Sequence, residues 1–184
     1  DPAVGTSRTG LASCSTGLGG SGWTRFWGDA VIGQRSGSGL LELAGNTTIT
    51  TLNGTGTVDF SAVPITLQVS NGNYAGKFVG ASSLDKVSGG TLVLSGFSNS
   101  FSGDVNVYDG TIEARSNRAL GTGVVRLDGG HLAITGDSAW LLGNNVTQIG
   151  SAFVTLGAAT PGAAAVTQSL GNLGMWNGSS LIVQ

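Results

Sequence analysis

The chain has 184 residues, long enough for one domain with a sizeable core or for a short repeat array. Its 33 glycines lack the collagen triplet, and 40% apolar with only 10% charged residues argues against disorder. A net charge of −2, with Lys77 and Lys86 the only lysines, leaves no basic patch for phosphate and argues against nucleic acid as a partner.

Residues 1–39 alternate little, apart from GWTRFWGDAVIG at residues 22–33. Cys14 is the sole cysteine, so no internal disulfide or thiolate metal cluster is available. Residues 40–61, LLELAGNTTITTLNGTGTVDFS, hold three alternating pieces without a strict period, and ITLQV at 65–69 reads as a further strand. From Gly89 the pattern tightens. GGTLVL, DGTIEA and GGHLAI begin at Gly89, Asp109 and Gly129, twenty residues apart. Gly90, Gly110, Gly130 and Gly150 keep that step, as do Gly103, Gly123 and Gly143. Apolar pairs follow each series: Leu92/Leu94, Ile112/Ala114 and Leu132/Ile134, then Val105/Val107 and Val125/Leu127. Val146 falls one place out of phase, which predicts a bulge or register slip. The Ala-rich stretch 155–171 reads as a loop leaving the stack, and the chain closes on the apolar SSLIVQ.

A period of twenty is too short for a βαβ unit and fits one coil of a parallel β-solenoid, an all-β fold. Stacking then sets Leu92, Ile112 and Leu132 in one interior column at ~4.8 Å steps, and Val105 with Val125 in a second. Gly90, Gly103, Gly110, Gly123 and Gly130 are expected at the corners, where φ is costly for other residues. Three regions follow: residues 1–39 as a cap or the start of the solenoid, 40–154 as its coils, and 155–184 as a loop and last coil. The uncovered apolar end, with no signal peptide before Asp1, is read as a piece excised from a longer chain.

Residues 71–134 resemble the passenger-associated repeat of bacterial autotransporters. Leu84 and Lys86 match its Leu-x-Lys step, and Gly90, Thr91, Leu92, Leu94, Ser95 and Gly96 its Gly-Thr-Leu-x-Leu-Ser-Gly strand. Asn99, Phe101 and Gly103 follow in order, then Gly110 to Ile112, Ala119, Leu120, Gly121 and Gly123, and finally Leu127, Gly129 and Gly130. The resemblance implies a right-handed parallel β-helix of about 20 residues per coil, exported through the periplasm and displayed or released at a Gram-negative outer membrane. It also implies the protein's own C-terminal β-barrel as translocator, and a host-cell protein, a glycan or further passengers as partner.

Parallel β-helices also carry polysaccharide lyases and hydrolases, which need an acid and a base at a set separation, and this is the alternative reading. Asp109, Glu113 and Asp128 are the carboxylates to weigh. Asp109 and Asp128 each adjoin a turn glycine and Glu113 precedes Arg115 by two, so all three have structural explanations and no catalytic residue is assigned. His131 alternates with Leu132 and is expected to face solvent; with no second histidine it suggests no zinc site. GGSGWT at 19–24 lacks the Asp of a calcium roll, and no cofactor or metal is expected. Trp23, Arg25 and Trp27 are the candidate binding residues. Both rings are expected on one strand face, with Arg25 and Phe26 on the other, forming a sugar platform or a cap over the first coil.

Overall fold

The computed structural model describes residues 6–8, 12–14, 22–160, 167–175 and 180–183. The early coils supply β1 (Thr6–Arg8), β2 (Ala12–Cys14), β3 (Trp23–Phe26), β4 (Ala30–Arg35), β5 (Leu40–Leu43), β6 (Thr47–Gly54), β7 (Thr57–Phe60), β8 (Thr66–Tyr74) and β9 (Lys77–Gly80). The strict repeat supplies β10 (Ser83–Lys86), β11 (Thr91–Leu94), β12 (Val105–Val107), β13 (Thr111–Ala114), β14 (Val125–Leu127) and β15 (His131–Thr135). Beyond it lie β16 (Trp140–Leu142), β17 (Val146–Gln148), β18 (Phe153–Gly157), β19 (Gln168–Leu170), β20 (Leu173–Gly174) and β21 (Ser180–Val183). Every strand pair among the described residues is parallel, so the chain is a β-solenoid.

Three walls enclose the core. The first is the sheet β1-β3-β5-β7-β9. Past β9 its ladder continues through irregular chain, because Ser100 N donates to Phe78 O at 3.1 Å and Thr122 N to Phe101 O at 3.1 Å. The long strands β4, β6 and β8 form one broad wall that then divides. The first half of β8 pairs with β10, setting Gln68 beside Asp85, while its second half pairs with β11, setting Gly72 beside Leu92. The first of these steps is 17 residues and the second is 20, so three extra residues enter between β10 and β11. They make the corner at 87–90, where Ser88 has φ 66°.

Lys86 holds that corner from inside. Its position in β10 aligns with Val69 and Val107, and the side chain is 0% exposed. The Nζ group donates to the carbonyls of Val87 (2.9 Å), Ser88 (2.5 Å) and Asp109 (3.0 Å). A buried ammonium is tolerated when its donors are satisfied, and here three carbonyls take all three. Burial still pulls the Lys86 pKa below its ordinary value, against the opposing charge of Asp109.

The expected interior columns are present. Leu92, Ile112 and Leu132 stack in register and are 0% exposed, and Val105 stacks on Val125. Phe60, Phe78 and Phe101 form a buried aromatic cluster, all three rings in mutual contact, with Phe78 and Phe101 edge to face at 5.7 Å. Buried Asn99 ties three coils together: its Oδ1 accepts from Phe78 N at 2.7 Å, and its Nδ2 donates to Gly96 O and Ala119 O.

The structure departs from expectation in four places. Twenty residues is not the only circumference, since Trp23, Leu40 and Thr57 are neighbours at steps of 17. Val146 introduces no bulge, because β14 and β17 pair residue for residue and the extra residue sits in the preceding turn. Among the five predicted corner glycines only Gly110 has positive φ, at 67°. At Gly103 and Gly123 the reason is close approach, as an added Cβ would collide with the carbonyls of Ser82 and Gly103 respectively. Gly130 sits nearly as tight over the Val107 side chain, at 2.4 Å, and Gly90 more loosely over Asn71, at 2.9 Å. The stretch 155–171 contributes the end of β18 and all of β19 to the stack, while residues 161–166 lie outside the described residues.

Candidate interaction surface

Strand β3 has β1 on one edge and β5 on the other, so its tryptophans lie on a side wall and cover no end of the stack. Phe26 alone turns into the core, at 0% exposure. Arg25 is not opposite the rings as expected: a strand alternates with period two, so positions 23, 25 and 27 share the outer face. The same geometry separates Trp23 from Trp27 by about 13 Å of extended chain, too far for one stacking platform. Arg25 fills the gap. Its Cζ lies 4.9 Å from the centre of a Trp27 ring, and Trp27 remains 51% exposed.

The next coils add what sequence reasoning missed. Parallel register sets Arg25 beside Glu42, and Glu42 beside Asp59. Arg25 Nε donates to Glu42 Oε2 at 2.8 Å and Nη2 to Oε1 at 2.5 Å, a bidentate pair that fixes the guanidinium plane. That hydrogen bonding, against a small desolvation cost and helped by the charges of Glu42 and Asp59, raises the Arg25 pKa further. Asp59 Oδ1 accepts from Ser61 N at 2.8 Å and from Ser61 Oγ at 2.5 Å. Together Arg25, Trp27, Glu42 and Asp59 border a shallow groove of about 130 Å³. The available chemistry is recognition: an aromatic face, a fixed cation and two carboxylates. The signal that could have found Glu42 and Asp59 is the spacing 25, 42, 59.

The other candidates take structural parts. Asp109 Oδ1 accepts from Gly110 N at 2.7 Å, and Asp128 precedes Gly129, whose φ is 96°. Glu113 accepts from Arg115 Nε at 2.7 Å and from Thr135 Oγ1 at 2.6 Å. Burial works to raise its pKa, but these bonds and the Arg115 charge hold it below the ordinary carboxylate value. His131 does not stand free in solvent. It is half-buried between rungs, with Nδ1 3.3 Å from Thr111 Oγ1 and Nε2 2.9 Å from Thr155 Oγ1, and burial lowers its pKa. Among the described residues no group of three His, Cys, Asp or Glu is placed to hold a metal ion. Gly19, Gly20 and Ser21 of the GGSGWT stretch lie outside them.

Comparison with known proteins bears on the same residues. Residues 84–114, from the Lys86 corner through β13, match the passenger-associated-transport-repeat family. The chain is also similar to the adhesin BmaC autotransporter of Brucella suis biovar 1 (strain 1330), 30% identical over 148 residues. That alignment covers 74% of this chain and 4% of the relative's length. No solved structure matches. A parallel solenoid built on coils of about 20 residues, with a transport repeat at its centre and an autotransporter adhesin as relative, is an autotransporter-type passenger domain.

Proposed function

We propose that this chain is a stretch of a surface-displayed or released adhesin stalk from a Gram-negative bacterium. It travels unfolded through the periplasm and its own C-terminal β-barrel, then folds outside coil by coil. Its side walls, Trp23, Arg25 and Trp27 included, face host-cell proteins, glycans or neighbouring passengers. The carrying observation is the unbroken ladder through the matched repeat, in which Leu92, Ile112 and Leu132 each find a preformed partner on the coil before. A right-handed coil belongs to the proposal, since parallel strands within one sheet are joined right-handedly in about 98% of cases. The described strands within residues 1–39 act as coils of the stalk rather than as a separate head, and those within 155–184 belong to the same stack.

The test uses the whole passenger with its translocator. Deleting residues 90–134 is expected to cut surface display at least tenfold while the barrel still inserts. Display at the parental level would refute the export role. Binding of the displayed passenger to epithelial cells should weaken when Trp23→Ala and Trp27→Ala are combined, and unchanged binding would remove these rings from the adhesive surface.

A further inference from the structure

The second wall carries a groove of about 420 Å³, lined by neither tryptophan and by none of the repeat's apolar columns. Two outward columns form its sides. Register stacks Val31, Thr48, Gln68 and Asp85 on four successive coils, and Asp29, Asn46 and Thr66 run parallel two residues earlier on each strand. The groove therefore spans about 14 Å along the solenoid axis.

Its polar groups are held by the ladder yet keep spare valences. Asp29 Oδ1 accepts from Asn46 N at 2.8 Å, and Asn46 Oδ1 accepts from Thr66 N at 2.9 Å. Thr48 Oγ1 donates to Gln68 Oε1 at 3.2 Å, which leaves the Gln68 amide nitrogen free to donate. Asp85 points outward but is only 7% exposed, and its Oδ1 accepts from Asn106 Nδ2 at 2.7 Å. Its Oδ2 has no protein hydrogen-bond partner among the described residues and is not among the buried unpartnered atoms, so it is open to the groove. Desolvation raises the Asp85 pKa, partly offset by the Asn106 hydrogen bond. One coil on, Tyr108 is 47% exposed, and the charge of Asp85 leads the influences that raise its pKa.

We propose that this groove binds a short neutral oligosaccharide lying along the solenoid axis, with Gln68 and Asp85, on the last two of its four rungs, as its principal hydrogen-bonding pair. A vicinal diol donates and accepts at each hydroxyl, and here it meets carboxylate acceptors, amide donors and threonine hydroxyls on rungs ~4.8 Å apart, close to the length of one pyranose. Val31, 47% exposed, offers an apolar surface to the C–H face of a ring. The lining has no cation and two carboxylates, Asp29 and Asp85, so an acidic polysaccharide is repelled. This names the chemistry of one surface partner on a wall different from the tryptophans. It is measured on purified protein, so failure of the export reading leaves it standing, and its own failure leaves export untouched.

The experiment screens the purified 184-residue chain by saturation-transfer-difference NMR against neutral oligosaccharides of glucose, galactose, mannose and N-acetylhexosamine. Trigalacturonate and sialyllactose are the acidic counterparts, and hits are titrated by calorimetry. Expected is saturable binding of at least one neutral oligosaccharide, weakened tenfold or more by Gln68→Ala and by Asp85→Asn, and unchanged by Arg118→Ala, an exposed turn residue outside the groove lining. Each variant is first shown to keep the parental urea midpoint; if Asp85→Asn does not, Gln68→Ala alone decides. No neutral ligand, a preference for the acidic ones, or binding indifferent to Gln68→Ala would each overturn the assignment.

Discussion

At Gly110 two constraints meet in one residue. Its φ of 67° disfavours any side chain, and an added Cβ would lie 2.5 Å from Ser88 O and 2.7 Å from Lys86 Nζ. Gly143 shares the twenty-residue arithmetic with Gly103 and Gly123 but has nothing within 4 Å of its would-be Cβ. Gly110→Ala should therefore destabilise by about 2–4 kcal/mol, from backbone strain plus displacement of the corner. Gly143→Ala should stay within about 0.5 kcal/mol. Urea midpoints of the two variants decide it, and equal midpoints would mean that periodicity, not local geometry, governs these glycines. The same contrast shows what sequence could tell about residues. Spacing singled out Gly110 but not Gly54, Gly72, Gly80, Gly121 or Gly129, whose φ is also positive, and it could not separate a positive φ from the approach of a neighbouring backbone, because both select glycine.

Between β10 and β11 the solenoid changes from a two-walled to a three-walled coil, and Lys86 is the residue that element depends on. Lys86→Met keeps the length of the side chain and removes the donors, leaving the carbonyls of Val87, Ser88 and Asp109 without that partner. The expected loss is about 2–4 kcal/mol, the cost of stranding buried acceptors. A thermal and urea unfolding comparison checks it, and a stabilised Met variant would show the corner to be set by Ser88 and the glycines alone. Sequence inspection marks Lys86 only as a match to the family's Leu-x-Lys step. Strand alternation already points it inward with Leu84, yet a lysine at an inward position reads as an exception until its three acceptors are seen.

Across the whole molecule stability should be nearly additive in coils, since each touches only its neighbours. Removing residues 111–130 joins Gly110 to His131, the rung partner of Thr111, and so preserves the register. That shortened chain should retain a β-sheet circular dichroism spectrum and unfold cooperatively with a smaller urea m-value, in proportion to the surface lost. Removing only residues 111–120 breaks the register and should abolish cooperative unfolding. If both deletions fold alike, stacking register is not what specifies the structure.

The sequence by itself determined the fold class, the interior columns at 92, 112 and 132, and the family of the repeat. Glycine spacing and period-two alternation are local properties that a linear chain displays openly. Only the tertiary structure decided that some early coils close in 17 residues and others in 20, that Arg25 meets Glu42 and Asp59, and that Thr48, Gln68 and Asp85 share one groove. The physical reason is that an outward spacing such as 25, 42, 59 can be recognised only once the length of each coil is known. The neighbours of outward side chains depend on how many residues each turn absorbs, and turn lengths are set by corner packing across coils, at Lys86 above all.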